Sequence, residues 1–269
     1  MSAVARAVED VGRYQLRFFR SKSIGRGDKK SEKEFVSQVD IHSEHMLRES
    51  LGAVISESNF YGEETLQEIG DNYTWVVDPL DGTTNYLSGL DQWSISVCLL
   101  HKHDSILAVV YKPVTGELFS GERGGGVQFQ SGSVKSEMLQ KVADCPLSDA
   151  LVGTGFPYRS PATKTSFFSC AREVLECSRG IRRMGSAALD LSYLSAGYLQ
   201  GFWEVDLQAY DVAAAVLFLK ETGCRITDFS GAPYSLFSSR TLVAGLPKAQ
   251  EELQAITHRH YGDFLTPHA

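Results

Sequence analysis

One short run limits what this chain can fold into more than any other. Trp75-Val76-Val77 is followed at once by Asp78-Pro79-Leu80-Asp81-Gly82-Thr83-Thr84-Asn85-Tyr86. The apolar triplet reads as a buried strand that ends at Asp78-Pro79. Pro79 fixes φ and removes a donor, and Gly82 lets the backbone come close to a ligand. A strand end followed by a turn is where open α/β layers place their ligands. Asp78 and Asp81, with the Leu80 carbonyl between them, can point at a common centre, and hard oxygen ligands of this kind suit Mg²⁺. The N–H groups of Gly82 and Thr83 would form a small anion nest beside it. A tight turn built from the usual Asp, Pro and Gly residues explains the same string without any ligand.

Composition narrows the classes. The 269 residues are 43% hydrophobic and 22% charged, enough apolar surface for a core and too much for global disorder. Lys and Arg total 26 against 33 for Asp and Glu, a net charge of -7, and there is no basic block, which speaks against a nucleic-acid partner. The five cysteines are odd in number and form no C-x-x-C pair, so a disulfide framework or structural zinc site is not expected and a cytoplasmic setting is. Arg6, Glu9 and Asp10 interrupt the N-terminal apolar residues, unlike a signal peptide, and no run reaches the ~18 apolar residues of a membrane span.

Along the chain, residues 3–20 carry a rough helical stripe, 21–34 read as a polar loop, Phe35–Val39 as a short extended piece and Ser43–Leu51 as an amphipathic helix. Strand-like runs at 94–100, 106–111 and 117–121 suggest an antiparallel meander, with Gly121–Gly126 as a hairpin turn. Further strands are expected at 151–156, 202–204, 224–226 and 241–243, and helices at 163–178, 186–196, 212–221 and 247–257. Helices and strands alternate without a regular βαβ period. Asp211 opens the helical run 212–221, where an N-cap role alone would account for it. The adjacent Glu63 and Glu64 are, taken alone, a solvated pair.

Taken in order, Gly62-Glu63-Glu64-Thr65, Asp78–Tyr86, Gly185-Ser-Ala-Ala-Leu-Asp190, and Glu204 with Tyr210-Asp211-Val-Ala-Ala-Ala215 resemble the inositol monophosphatase family. The likeness runs from about residue 3 to about 257, and Gly153–Pro157 with Arg182–Asp190 gives it a bacterial flavour. The resemblance implies an α+β fold, a layered α/β/α/β/α sandwich of the sugar-phosphatase type, with lobes near 1–142 and 143–269 and the site at their junction. It implies Mg²⁺-dependent hydrolysis of a small polyol or sugar phosphate, inositol monophosphate first. Two or three Mg²⁺ ions, with Mn²⁺ as a possible substitute, a homodimer and sensitivity to lithium are implied as well.

Roles follow by position. Glu63, Asp78 and the Leu80 carbonyl resemble the ligands of one metal, and Asp78, Asp81 and Asp211 those of a second. Thr83 with Asp40 would orient and deprotonate the attacking water beside Glu63. Gly82 and Thr83 would hold phosphate, with Thr84 next to them. Gly185, Ser186 and Ala187 would line the alcohol side, Glu204 would take a substrate hydroxyl, and Asp211 would border it. Lys29 would lie near the metal and phosphate. Tyr210 stands where the family usually has Trp, and Ser37 where it has Thr; neither change removes a ligand.

Fructose 1,6-bisphosphatase activity is the first alternative. A 3′-phosphoadenosine phosphatase fits less well, because that group usually carries Lys where Thr84 stands. A non-catalytic regulator on the same scaffold is a third. Cys177-Ser-Arg-Gly-Ile-Arg-Arg183 matches the C-x-x-G-x-x-R loop of cysteine phosphatases, but Glu176 beside the thiol opposes a reactive thiolate. An aspartyl-phosphate mechanism needs D-x-D, and Asp78 and Asp81 are three apart.

Overall fold

The computed structural model describes residues 1–21, 28–29, 35–36, 38–65, 67–134 and 136–265. The side chain of Lys29 and all of Ser37 lie outside the described residues. Helices α1 (Ser2–Leu16) and α2 (Gln38–Val54) are neighbours, and the short strands β1 (Asp28–Lys29) and β2 (Phe35–Val36) between them pair antiparallel. A seven-stranded sheet follows in chain order: β3 (Ser58–Gly62), β4 (Tyr73–Asp81), β5 (Ser94–His101), β6 (Asp104–Lys112), β7 (Glu117–Glu122), β8 (Gly126–Ser131) and β9 (Glu137–Met138). Only β3 and β4 are parallel among these neighbours. The short helix α3 (Thr83–Leu87) follows β4 directly.

The second sheet takes β10 (Leu151–Thr154), β11 (Gly180–Arg182), β12 (Gly201–Val205), β13 (Arg225–Thr227) and β14 (Thr241–Gly245) in the order β11-β10-β12-β14-β13. Its helices are α4 (Lys164–Cys177), α5 (Ala187–Ser195), α6 (Ala209–Thr222) and α7 (Pro247–Leu265).

Side-chain alternation sorts these elements into five layers. Trp75 and Val77 of β4 face α1 and α2, meeting Val4, Val8, Leu47 and Leu51. Val76, between them, points the other way, into a core with Ala213, Ala214 and Leu217 of α6. The opposite flank of α6, Val212, Ala215 and Val216, packs with Phe202 of β12. Trp203 and Val205 of β12 then face α4 and α7. A helix that is apolar all round has to be buried on both sides, and α6 is the central layer for that reason. This is the layered α+β sandwich that the sequence led us to expect.

Several boundaries move. β4 does not stop at Pro79 but continues to Asp81. The piece 35–39 is extended only at Phe35–Val36, since α2 already starts at Gln38 and buries Val39 against Leu80, Tyr86 and Trp93. The polar loop at 21–34 holds β1. The strand expected over 151–156 ends at Thr154, and α6 starts at Ala209 instead of 212. Helix α7 runs on to Leu265. Strands β3, β8, β9 and β11 were not expected. They are short or half-polar, and their pairing partners, not their own periodicity, hold them extended.

Candidate active site

The geometry begins with a bulge. Residues three apart on a regular strand point to opposite faces. On β4, Asp78 pairs with Ser96 and Asp81 with Ser94 of β5, so β4 carries one extra residue between the two pairs. Pro79 sits in that irregular stretch, where its missing N–H costs no ladder bond, and its carbonyl accepts from Gln15 Nε2 at 2.7 Å. The extra residue brings both aspartates to one side. Carboxylate oxygens of Asp78, Asp81 and Asp211, all buried, lie within 4.8 Å of one another.

Each carboxylate is tied down. Asp78 Oδ1 accepts the Leu80 N–H at 2.9 Å. Asp81 Oδ2 accepts the Ser186 hydroxyl at 2.6 Å and the Ala188 N–H at 2.7 Å, at the start of α5 where N–H groups point outward. Asp211 is not the N-cap of its helix. That cap is Gln208, and Asp211, in the third helical position, accepts the Gln208 N–H at 2.6 Å in a reciprocal capping box. The capping bond uses Oδ2 and leaves Asp211 within reach of the aspartate pair.

Glu63 follows β3 in a corner that is held from below. Glu44 of α2, fully buried, accepts the N–H groups of Glu64 at 2.7 Å and Thr65 at 2.8 Å, and the Thr65 hydroxyl as well. A Cβ on Gly62 would come to 2.4 Å from Glu44 Oε2. Glu44 escaped the sequence reading, although it shares a helical stripe with Leu47 and Leu51. A carboxylate on a core-facing stripe is the signal that could have found it.

The cluster carries more negative charge than its surroundings offset. Burial, followed by Glu63, Asp81 and Asp211, pushes the Asp78 pKa well above the usual carboxylate range. Asp81 is pushed up to about 7 by burial and then Asp211, against the opposing hydrogen bonds from Ser186, Ala188 and Ala187. The Arg159 guanidinium approaches from the second half of the chain, with Nη1 3.4 Å from Asp211 Oδ2 and Nη2 4.0 Å from Glu63 Oε1. Buried carboxylates destabilised in this way are a donor set that fits hard divalent cations.

Beside the trio, Gly82 has φ 97° and caps α3. A Cβ there would meet the Gln92 carbonyl at 2.8 Å and the Gly185 carbonyl at 3.2 Å, so only glycine fits where the two halves touch. Asn85 stitches the same seam, donating from Nδ2 to the carbonyls of Gln92 (2.7 Å) and Met184 (2.8 Å). The Thr83 hydroxyl donates to the Leu80 carbonyl at 3.1 Å, and Thr84 is exposed. Asp40 is buried in the first turn of α2, close enough to Tyr86 for its charge to help raise that phenol's pKa.

A cleft of about 160 Å³ opens next to the trio, and Asp81, Gly185, Ser186, Ala187, Glu204 and Asp211 all line it. Burial and then Asp211 push Glu204 up to about 8, with Arg183 pulling the other way. A Cβ on Gly155 would lie 1.8 Å from Glu204 Oε1, so the glycine of the Gly153–Pro157 run makes room for that carboxylate. Asp190, Arg159 and Arg183 also line the cleft and were not singled out from sequence; Arg183 lies over the rings of Phe156 and Tyr158 at 5.4 Å.

The cysteine string does not form a phosphate cradle. Cys177 ends α4 in an exposed position and Gly180–Arg182 is strand β11. The Gly121–Gly126 run is a hairpin turn between β7 and β8, with the N–H groups of Gly124 and Gly126 donating to Glu221.

Comparison with known proteins agrees with this architecture. The sequence profile of the inositol monophosphatase family matches residues 2–261. The chain is 36% identical over 261 residues to the inositol-1-monophosphatase of Rhizobium meliloti (strain 1021), covering 96% of each protein. It is 34% identical over 226 residues to the Nus factor SuhB of Pasteurella multocida (strain Pm70), covering 83% of this chain and 82% of that one. The crystal structure of the extragenic suppressor protein suhB from Bartonella henselae superimposes with a TM-score of 0.88 at 31% identity, over 96% of this chain and 97% of that one. The chain belongs to the inositol monophosphatase family.

Proposed function

We propose that this protein is a Mg²⁺-dependent phosphatase that hydrolyses a small polyol or sugar phosphate, inositol monophosphate first, with water as the nucleophile. One observation carries the reading: three buried carboxylates within 4.8 Å of one another, bordering a polar cleft. Glu63, Asp78, Asp81, Asp211 and the Leu80 carbonyl would hold two divalent cations. Such ions, when bound, lower the pKa of a water and stabilise the leaving alkoxide. Mn²⁺ is an allowed substitute for the same oxygen donors.

The chain's own groups do the rest. The N–H groups of Gly82 and Thr83 hold the phosphate oxygens at the head of α3. The Thr83 hydroxyl, fixed by the Leu80 carbonyl, keeps its oxygen turned to the side from which water would attack. Asp40, buried in the first turn of α2, would be the base that takes the proton, which requires the Thr83 hydroxyl to turn from the Leu80 carbonyl and donate to Asp40 as it accepts from the water. On the far side of the phosphate, Glu204 accepts from a substrate hydroxyl while Gly185, Ser186 and Ala187 leave room for the ring. With lobes taken as 1–142 and 143–269, the cleft lies where Gly82 of the first approaches Gly185 of the second.

The Nus factor name of some relatives favours a second reading, a regulator without turnover. Selection for binding alone gives no reason to keep buried, mutually repelling carboxylates together, because each costs stability. Phosphate release from inositol monophosphate in Mg²⁺, compared with release in EDTA, separates the two readings.

A further inference from the structure

Helix α1 carries one polar residue where its buried stripe asks for an apolar one. Val4, Val8, Val11 and Gln15 follow one another at helical spacing and all four are buried, Gln15 completely. A buried amide needs partners, and this one finds them on three other elements. Its Nε2 donates to the Pro79 carbonyl of β4 at 2.7 Å and to Ser43 Oγ of α2 at 3.1 Å. The Tyr86 hydroxyl of α3 donates to the Gln15 carbonyl at 2.7 Å. We propose that Gln15 is a positioning residue of the metal site, clamping the Pro79–Leu80 peptide so that this peptide aims the Asp78 carboxylate, a role that rests on the proposed reading of the buried trio as a cation site.

One peptide plane transmits the hold. The Pro79–Leu80 peptide is trans, so its C=O and N–H point in opposite directions. Gln15 holds the C=O on the α1 side, and the N–H donates to Asp78 Oδ1 at 2.9 Å. Fixing one end of a rigid plane fixes the other. Each bond also strengthens the next, because a carbonyl that accepts polarises its own peptide N–H. The stretch needs such a hold. Between Asp78 and Asp81 the pairing with β5 shifts register, so the regular ladder that fixes the rest of β4 is interrupted there.

The amide serves as a donor only. Gln15 Oε1 is buried without a hydrogen-bond partner. A carbonyl oxygen can only accept, so the NH₂ end must face Pro79. A side chain kept merely to fill the space between helices would be better replaced by an apolar one of the same length, which leaves no oxygen unmet. Ser43 extends the reach of the clamp. It lies three residues after Asp40 on the buried face of α2, so the two hydrogens of one amide span the metal-bearing strand and the helix of the proposed base.

Mg²⁺ binding to the substrate-free protein, followed by calorimetry, tests the clamp. Gln15→Met keeps the length and removes the donors. Loss of a partner that orients a metal ligand should weaken Mg²⁺ binding about 10-fold or more. Melting temperature in EDTA should stay close to wild type, because the unmet Oε1 disappears as the Pro79 carbonyl loses its donor. KM for inositol monophosphate at saturating Mg²⁺ should not move. Gln15→Asn, one carbon too short to keep both bonds, should show the same weakening and carries the test if Gln15→Met does not fold. Ser43→Ala removes only the α2 bond and should leave Mg²⁺ affinity near wild type. A loss in Ser43→Ala equal to that in the Gln15 variants would show that packing and not the Pro79 bond matters, and overturns the clamp. Wild-type binding that the Gln15 variants leave unchanged overturns the clamp alone, whereas a wild type that binds no Mg²⁺ overturns the cation reading and the clamp together.

Discussion

The two sheets supply opposite kinds of chemistry to one cleft. The seven-stranded sheet brings like charges together: Asp78 and Asp81 on one bulged strand and Glu63 at the end of its parallel neighbour, with the Arg159 guanidinium 4.0 Å from Glu63. The five-stranded side mixes signs. Glu204 sits with Arg183 and Arg159 pulling its pKa down while burial and Asp211 push it up. Three carboxylates within 4.8 Å of one another ask for cations, whereas one carboxyl set beside guanidiniums suits an uncharged, hydroxyl-rich group. Asp211 joins the halves, as it belongs to the central helix that both sheets bury.

The sharpest way to break this contrast is to remove a charge from the like-charged side. Asp81→Asn keeps the shape and the bond from Ser186 or its reverse, but takes away a charge that a divalent ion needs. Turnover should fall more than 10-fold, a barrier change above about 1.4 kcal/mol. Thermal melting in EDTA should show the fold intact, because one term of the mutual repulsion is gone. Activity above a tenth of wild type at saturating Mg²⁺ contradicts the assignment.

On the mixed side, Glu204→Ala should act on the substrate and not on the phosphate. Loss of the hydrogen-bond partner of a buried hydroxyl costs about 1–3 kcal/mol, or roughly 5- to 150-fold in kcat/KM for the polyol phosphate. An aryl phosphate with no hydroxyl to offer should lose much less. Equal losses on both substrates erase the distinction between the two sides.

Glu44→Ala tests whether the like-charged side is held from beneath. Three half-buried or exposed donors lose a charged acceptor and can turn to water, so the loss is that of hydrogen bonds to a charged group, about 1.5–3 kcal/mol. Melting temperature and Mg²⁺ affinity should fall together. A lower melting temperature with unchanged Mg²⁺ affinity would show that the corner does not position Glu63.

A further test is one of pH. The folded-state pKa of Glu204, about 8, lies above its ordinary value of 4.5, so the folded chain keeps a proton that the unfolded chain releases. Stability is full below the ordinary pKa and is lost as pH rises through that window, by at most about 1.4 kcal/mol per pH unit. In EDTA the wild type should melt at lower temperature at pH 8 than at pH 5, and Glu204→Gln should flatten that slope. An unchanged slope removes Glu204 from the balance.

The like-charged side was the legible one. Asp78, Leu80, Asp81, Gly82 and Thr83 lie in one unbroken string, and a local motif needs no tertiary contact to be read. Even there the bulge was hidden: Pro79 looked like a strand end, because only the pairing with β5 shows the ladder resuming at Asp81. Asp211 was read correctly as a helix-start carboxylate and wrongly as the cap, since Gln208 carries no strong capping preference. On the mixed side, Gly185, Ser186, Ala187 and Glu204 were named only through the family resemblance, and the rest was illegible. Arg159, Arg183 and Asp190 meet Glu204 only through the fold, and no periodicity marks them. Glu44 was missed because its partners, Glu64 and Thr65, lie across a strand and a turn. The layer order came with the family resemblance, and the structure shows its physical reason: α6, Ala- and Leu-rich on every face, is the central helix.

The central claim is that the buried trio exists to hold divalent cations for phosphate hydrolysis. Phosphate release from inositol monophosphate, measured on protein stripped with EDTA and then titrated with Mg²⁺, tests it most directly. The account predicts no release after stripping, recovery on adding Mg²⁺, and no recovery in Asp81→Asn. Full activity in EDTA, or Mg²⁺-dependent activity above a tenth of wild type in Asp81→Asn, contradicts it.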